Sequence, residues 1–190
     1  MGNAPVLAVD FGTSNSAAGV LVQDRPFLIE VEGGENTLPT ALFFEQDCET
    51  VYGRAAQTAL IQGREGRYMR ALKSVLGTPL MHEPRRIMGE KLTLIDAVAR
   101  FLARIKTRAD AACYQDFRQA LSGRPVRFHH DPERDAKAEA DLRLAYERAG
   151  FESVKFMYEP EAAALARGRR QRTTSRGLRS TNGTLRNRRA

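Results

Sequence analysis

The chain has 190 residues, 30 Lys or Arg against 23 Asp or Glu, a formal net charge of +7 and 42% hydrophobic residues. That length suits one ordinary domain or two small ones. No apolar run approaches the ~18 residues of a membrane helix, and Met1 to Pro5 lack the basic and apolar regions of a secretory signal. Cys48 and Cys113 are far apart and match no C-x-x-C pattern, which fits the reducing cytoplasm better than a disulfide scaffold.

In chain order, the apolar runs Val6 to Val9 and Ala17 to Val22 flank Asp10-Phe11-Gly12-Thr13-Ser14-Asn15-Ser16. This predicts a β-hairpin whose turn suits a phosphate. Glycine permits a tight backbone, so that successive N–H groups converge on an anion, while Thr13, Ser14 and Asn15 add side-chain donors. Asp10 is placed to hold a hydrated divalent cation beside the phosphates. The same residues also suit an ordinary hairpin turn. A P-loop is excluded, because no G-x-x-x-x-G-K-[ST] occurs and a strand follows the turn. Asp10-Phe11-Gly12 spells the kinase triplet without the other kinase motifs, so it carries no kinase reading.

Phe27 to Val31 is expected to be a third strand, Gly33 to Asn36 a turn, and Leu38 to Thr40 the opening of another extended run, Ala41 to Glu45, with Pro39 at its start or edge. Val51-Tyr52-Gly53 precedes an Ala-rich helix over 54–62 closed by Gly63. The strongest helical periodicity covers 93 to about 121, with Leu94, Ile95, Val98, Phe101, Leu102 and Ile105 on one stripe and Thr93 and Asp96 spaced as a capping box. Arg124 to Phe128 reads as a short strand. Asp131-Pro132 then reads as an N-cap with proline at N1, opening a helix that runs to Ala149 and stops at Gly150. Val154 to Tyr158 is a second strand. Strand, helix and strand make a βαβ unit and predict an α/β fold with a parallel sheet. His82, His129 and His130 have no metal-ligand spacing and are expected in surface or loop roles.

The net positive charge is confined to the end of the chain. Residues 167–190 hold nine arginines and no acid, leaving 21 basic against 23 acidic residues before them. With Leu178 and Leu185 as its sizeable apolar residues, this tail is expected to be disordered. It reads as a basic arm for nucleic acid or as a non-native end from a shifted frame. The absence of aromatics that stack on bases favours the second.

Asp10 to Ser16 resembles the first phosphate motif of the seventy-kilodalton heat-shock chaperones, the DnaK type, within the actin and sugar-kinase superfamily. Ala71-Leu72-Lys73-Ser74-Val75-Leu76-Gly77 resembles that family's lysine segment. Tyr158-Glu159-Pro160-Glu161-Ala162-Ala163-Ala164-Leu165 resembles its Glu-Pro-x-Ala-Ala-Ala connector. Three motifs in register span 6–166, and Asn15 with the Tyr-Glu-Pro connector is most similar to the divergent YegD-type members. The resemblance implies an actin-like ATPase lobe, ribonuclease H-like in fold, with N-terminal hairpins, a βαβ unit and flanking helices over residues 1–166.

The resemblance also implies roles at matching positions. Asp10 organises Mg2+ through water, and Gly12, Thr13, Ser14 and Asn15 cradle the phosphates of ATP. Lys73 neutralises the γ-phosphate, a positioning and electrostatic role, and Glu159 orders the attacking water or the metal's shell. Pro160 is the switch that relays nucleotide state. Taken singly, Lys73 also reads as a solvated lysine and Glu159 as a surface carboxylate.

The family's second phosphate hairpin, Asp-x-Gly-Gly-Gly-Thr, and its adenosine-binding lobe do not occur in the sequence. The expectation is therefore a truncated, inactive fragment of an ATP-dependent chaperone that folds or remodels client proteins. Two other readings stay open: a non-catalytic module that binds nucleic acid or acidic partners through the Arg-rich tail, and a sugar-kinase-like phosphotransferase. No membrane partner is expected.

Overall fold

The computed structural model describes residues 4–23, 25–46 and 49–158. Two short apolar segments with alternating burial, β1 (Val6–Phe11) and β2 (Asn15–Val22), form an antiparallel hairpin in which Asp10 faces Ala17. β3 (Arg25–Leu28) continues the meander, and β4 (Thr37–Pro39) pairs with β2 from Asn15 to Ala17. Pro39 closes β4, where a strand tolerates its missing N–H. The third strand lies two residues earlier than its apolar run predicts. Ile29 and Val31 turn into the core while Glu35 donates its N–H to the Glu32 carbonyl at 2.8 Å, closing the expected turn.

A smaller sheet follows, built from β5 (Ala41–Phe44), β6 (Val51–Tyr52) and β7 (Arg67–Arg70), with α1 (Gly53–Ile61) packed on it. Every residue of β5 is buried. The N-terminus of α1 takes its cap from far away, since Glu32 Oε1 accepts the Arg54 N–H at 2.8 Å. Gly53, at φ +60, leaves no room for a Cβ beside that carboxylate. One-turn 3-10 segments at Leu72–Val75 and Pro79–Met81 lead to the hairpin of β8 (Arg85–Ile87) and β9 (Glu90–Leu92).

α2 (Leu94–Cys113) buries the predicted stripe through Ala109. Its capping box is complete: Asp96 N–H donates to Thr93 Oγ1 at 3.2 Å, and Asp96 Oδ2 accepts the Thr93 N–H at 2.8 Å. Arg148 donates to the other oxygen of Asp96 at 2.6 Å, tying the start of α2 to the end of the helix packed beside it. The periodicity predicts a helix to about 121, but the structure stops it at Cys113. Beyond Ala109 the stripe reaches only Cys113, which is partly buried against the core, then Tyr114 turns left-handed at φ 52 and Asp110 accepts the Phe117 N–H at 3.0 Å.

The next strand is β10 (Gln119–Arg124), not 124–128 as the sequence suggests. Ala120, Ser122 and Arg124 alternate inward, and Pro125 ends the run, as a residue without an N–H must. α3 (Pro132–Arg148) has the predicted Asp131 cap, accepting the Glu133 N–H at 3.0 Å, and Gly150 at φ 94 beyond its end. β11 (Ser153–Tyr158) completes a parallel βαβ unit with β10, in register from Gln119 opposite Ser153 to Arg124 opposite Tyr158.

β10 also runs parallel to β1, giving the six-stranded sheet its order β11-β10-β1-β2-β3 with β4 on β2. The fold is α/β, as expected. One face of this sheet, carrying Leu7, Val9, Phe11, Ala18, Ala120 and Val154, is buried in the core with the inward faces of α2 and α3. Phe11 and Phe101 meet at 6.0 Å, and Tyr146 lies edge-on to Phe151 at 5.4 Å. The opposite face presents Val6, Asp10 and Leu21 outward, the last 61% exposed.

Candidate functional site

The three parallel strands β1, β10 and β11 end along one edge of the sheet, at Phe11, Arg124 and Tyr158. In open α/β sheets that carboxyl edge is where ligands bind. Asp10 stands there on the exposed face, followed by the Gly12 to Ser14 turn. A Cβ on Gly12 would collide with the Asn15 carbonyl oxygen, so the turn closes only around glycine. Thr13, Ser14 and Asn15 are all exposed.

The turn is pinned from behind by Thr40. Its N–H donates to the Ser14 carbonyl at 2.8 Å, and its buried hydroxyl pairs with Ser16 Oγ at 2.8 Å. Thr40 does not stand out in the sequence, because its partner Ser16 lies 24 residues away. Beneath the same edge, the fully buried Tyr146 donates to Ser122 Oγ at 2.8 Å. Burial pushes the Tyr146 phenol far up; the Ser122 hydrogen bond opposes this and the Asp10 charge adds to it, so Asp10 lies within electrostatic reach of the pair.

Lys73 is half-buried in the 3-10 turn that follows Ala71, itself left-handed at φ 55. Its segment is seated on α3. Leu76 accepts from His129 Nε2 at 2.6 Å, and Asp141 accepts the Gly77 N–H at 2.7 Å and His82 Nε2 at 2.8 Å. His82 and His129 thus hold loops, in keeping with the sequence reading, and His130 is exposed. α3 starts where the loop after β10 delivers it, at the carboxyl edge, and Gly77 packs against Arg134 and Ala138 near its beginning. Gly77 thereby seats the lysine segment on the first turns of α3, the helix that leaves the carboxyl edge of the sheet. Glu159 and Pro160 lie outside the described residues, as do Cys48 and the tail from 167. Tyr158, next to Glu159, closes β11 at that edge.

Arg124 is the buried cation of this edge. Its guanidinium donates to Asp135 at 3.0 Å, pairs with Glu139, and lies over the rings of Phe128 at 5.0 Å and Tyr158 at 5.4 Å. Burial alone would push the Asp135 carboxyl up. Hydrogen bonds from the Phe128 N–H, from Arg124 and from the His129 N–H outweigh it and hold the group below its ordinary 3.8. A depressed carboxylate contributes stability that is fully present above the unfolded value and is lost as pH falls through the folded one. The gap in thermal midpoint between the wild type and Asp135→Asn is therefore expected to be widest near neutrality and to narrow in acid below pH 3.8. A gap that does not change with pH would count against this role.

Among the described residues, no three His, Cys, Asp or Glu side chains gather as a metal cluster. Asp10 alone suits Mg2+, which keeps most of its water and takes one or two carboxylates plus phosphate oxygens. No helix among the described residues is long and apolar enough to cross a membrane.

Residues 6–86, which carry the turn and Lys73, match the family model described as Hsp70 protein. Over 167 residues, 86% of this chain, the sequence is 30% identical to the chaperone protein DnaK of Methanothermobacter thermautotrophicus. The chain belongs to the Hsp70 family. A second relative, the chaperone protein DnaK of Endomicrobium trichonymphae, is 29% identical over 169 residues, 87% of the chain. Each match covers 26% of the relative, so this Hsp70 chain spans about a quarter of the length of the curated proteins it matches. Its sheet and flanking helices are the α/β architecture of an Hsp70 actin-like ATPase lobe.

Proposed function

We propose that the chain holds the triphosphate of ATP, with Mg2+, on the turn between β1 and β2. The observation that carries this reading is the turn itself: a glycine that admits no Cβ, three exposed polar residues, and Asp10 beside them at the carboxyl edge of a parallel sheet. Gly12, Thr13, Ser14 and Asn15 cradle phosphate oxygens, and Asp10 orients the water shell of the cation. Lys73 sets its positive charge toward the terminal phosphate. Glu159 orders the attacking water, and Pro160 relays the state of the site. Bound Mg2+ would supply charge neutralisation between the phosphates.

Phosphoryl transfer works by clamping the phosphates in place, and catalysis by positioning fails when one wall is missing. The 190-residue chain supplies one hairpin, one lysine and one glutamate. We infer that it binds without turnover, as one half of a site whose longer relatives are chaperones, and that client proteins are engaged by such longer proteins. A cytoplasmic place fits Cys113, a free thiol. Phosphate release from ATP, followed with and without the chain, is expected to stay at the background rate. Turnover abolished by Lys73→Ala would show instead that the chain completes its own site, for instance by dimerising.

A further inference from the structure

We propose that Asp141 is the positioning residue for Lys73, fixing where the lysine segment meets the phosphate turn. The inference rests on the nucleotide reading above.

Asp141 sits in the middle of α3, where aspartate is a poor helix former, and its side chain is 5% exposed. A buried carboxylate is costly unless its oxygens are hydrogen-bonded. Here both oxygens bind one distant stretch of chain, Oδ2 taking the Gly77 N–H and Oδ1 taking His82 Nε2. Gly77 is seated on the helix without slack. Its φ is +76, and a Cβ there would meet the Arg134 carbonyl and Ala138. His129 holds the neighbouring Leu76 carbonyl from the loop before α3.

Lys73 cannot move independently of this anchor. Only three residues separate it from Gly77, and Ser74 Oγ donates to the Ala71 carbonyl at 2.6 Å while Thr78 Oγ1 donates to the Val75 carbonyl at 2.7 Å. The chain from 71 to 78 is thus a short hydrogen-bonded block. Asp141 fastens it to α3, and α3 is fixed to the sheet by the hydrogen bond from Tyr146 to Ser122, which stands opposite Val9 of β1. The carboxylate therefore sets the place of the lysine relative to the turn without touching a phosphate.

The test uses the full 190-residue chain and magnesium tripolyphosphate, comparing Lys73→Ala, Asp141→Asn and the double variant by titration calorimetry. Asp141→Asn is expected to weaken binding about tenfold, as losing a charge-assisted contact does. The double variant should bind no more weakly than Lys73→Ala alone, the signature of residues acting as one unit. Amide exchange should quicken at Ser74 to Gly77 and stay unchanged in the hairpin. Unchanged affinity in folded Asp141→Asn, or effects that multiply in the double variant, would overturn the proposal. If Asp141→Asn does not fold, His82→Ala decides, since that side chain is largely exposed: weaker binding that is non-additive with Lys73→Ala supports the anchor, and unchanged binding overturns it. A wild type that binds no tripolyphosphate would remove the nucleotide reading, and exchange at Ser74 to Gly77 would then judge the anchor alone.

Discussion

Gly12→Ala is expected to abolish triphosphate binding while leaving most of the fold in place. The added Cβ falls on the Asn15 carbonyl oxygen, a backbone atom that cannot swing aside as a side chain can. Asn15 is also held in register opposite Pro39, and Ser14 is held by Thr40, so the turn has no free direction in which to open. Relief must come from distorting the backbone whose N–H groups are proposed to hold the phosphates, and a nest distorted in this way no longer matches an anion. The stability cost should be about 1–3 kcal/mol, typical of forcing an extra carbon into a closely packed position. Calorimetric titration with magnesium tripolyphosphate beside a thermal melt checks both parts. Retained affinity in the variant would mean that the turn is only a hairpin.

The largest loss of stability is expected from Phe101→Ala, about 3–5 kcal/mol. Phe101 is fully buried in α2 and meets Phe11, the residue between Asp10 and Gly12, at 6.0 Å between ring centroids. Removing the ring leaves a cavity directly beneath the end of β1, so the core and the site should loosen together. Ile61→Ser is the control: this residue is 84% exposed at the end of α1 and should change stability by no more than about 0.5 kcal/mol. Denaturant melts of the two variants compare them directly, and similar shifts would contradict the packing described here.

Legibility in the sequence followed the range of the interactions. The β1–β2 hairpin, the Thr93 and Asp96 capping box, and the Asp131-Pro132 start of α3 are written in residues a few positions apart. All were readable from local chemistry. The end of α2 was not, because Tyr114 takes a left-handed conformation usually reserved for glycine or asparagine. β10 was missed because Gln-Ala-Leu-Ser-Gly-Arg lacks β-branched residues and buries an arginine whose partners, Asp135 and Glu139, come from the next helix. The site divides in the same way. The turn and Lys73 are recognisable as motifs, whereas Thr40 and Asp141 act across 24 and 64 residues and leave no local signal. Hydrogen bonds of that separation exist only once the sheet and α3 are assembled.

On the proposed function, this edge of the sheet holds a triphosphate through its turn and through Lys73. Isothermal titration of the 190-residue chain with ATP, GTP and inorganic tripolyphosphate, with and without Mg2+, tests it most directly. Weak binding is expected that requires Mg2+, is nearly equal for the three ligands and is weakened, not abolished, in Lys73→Ala. No Mg2+-dependent binding, or tight binding that prefers adenine, would contradict it.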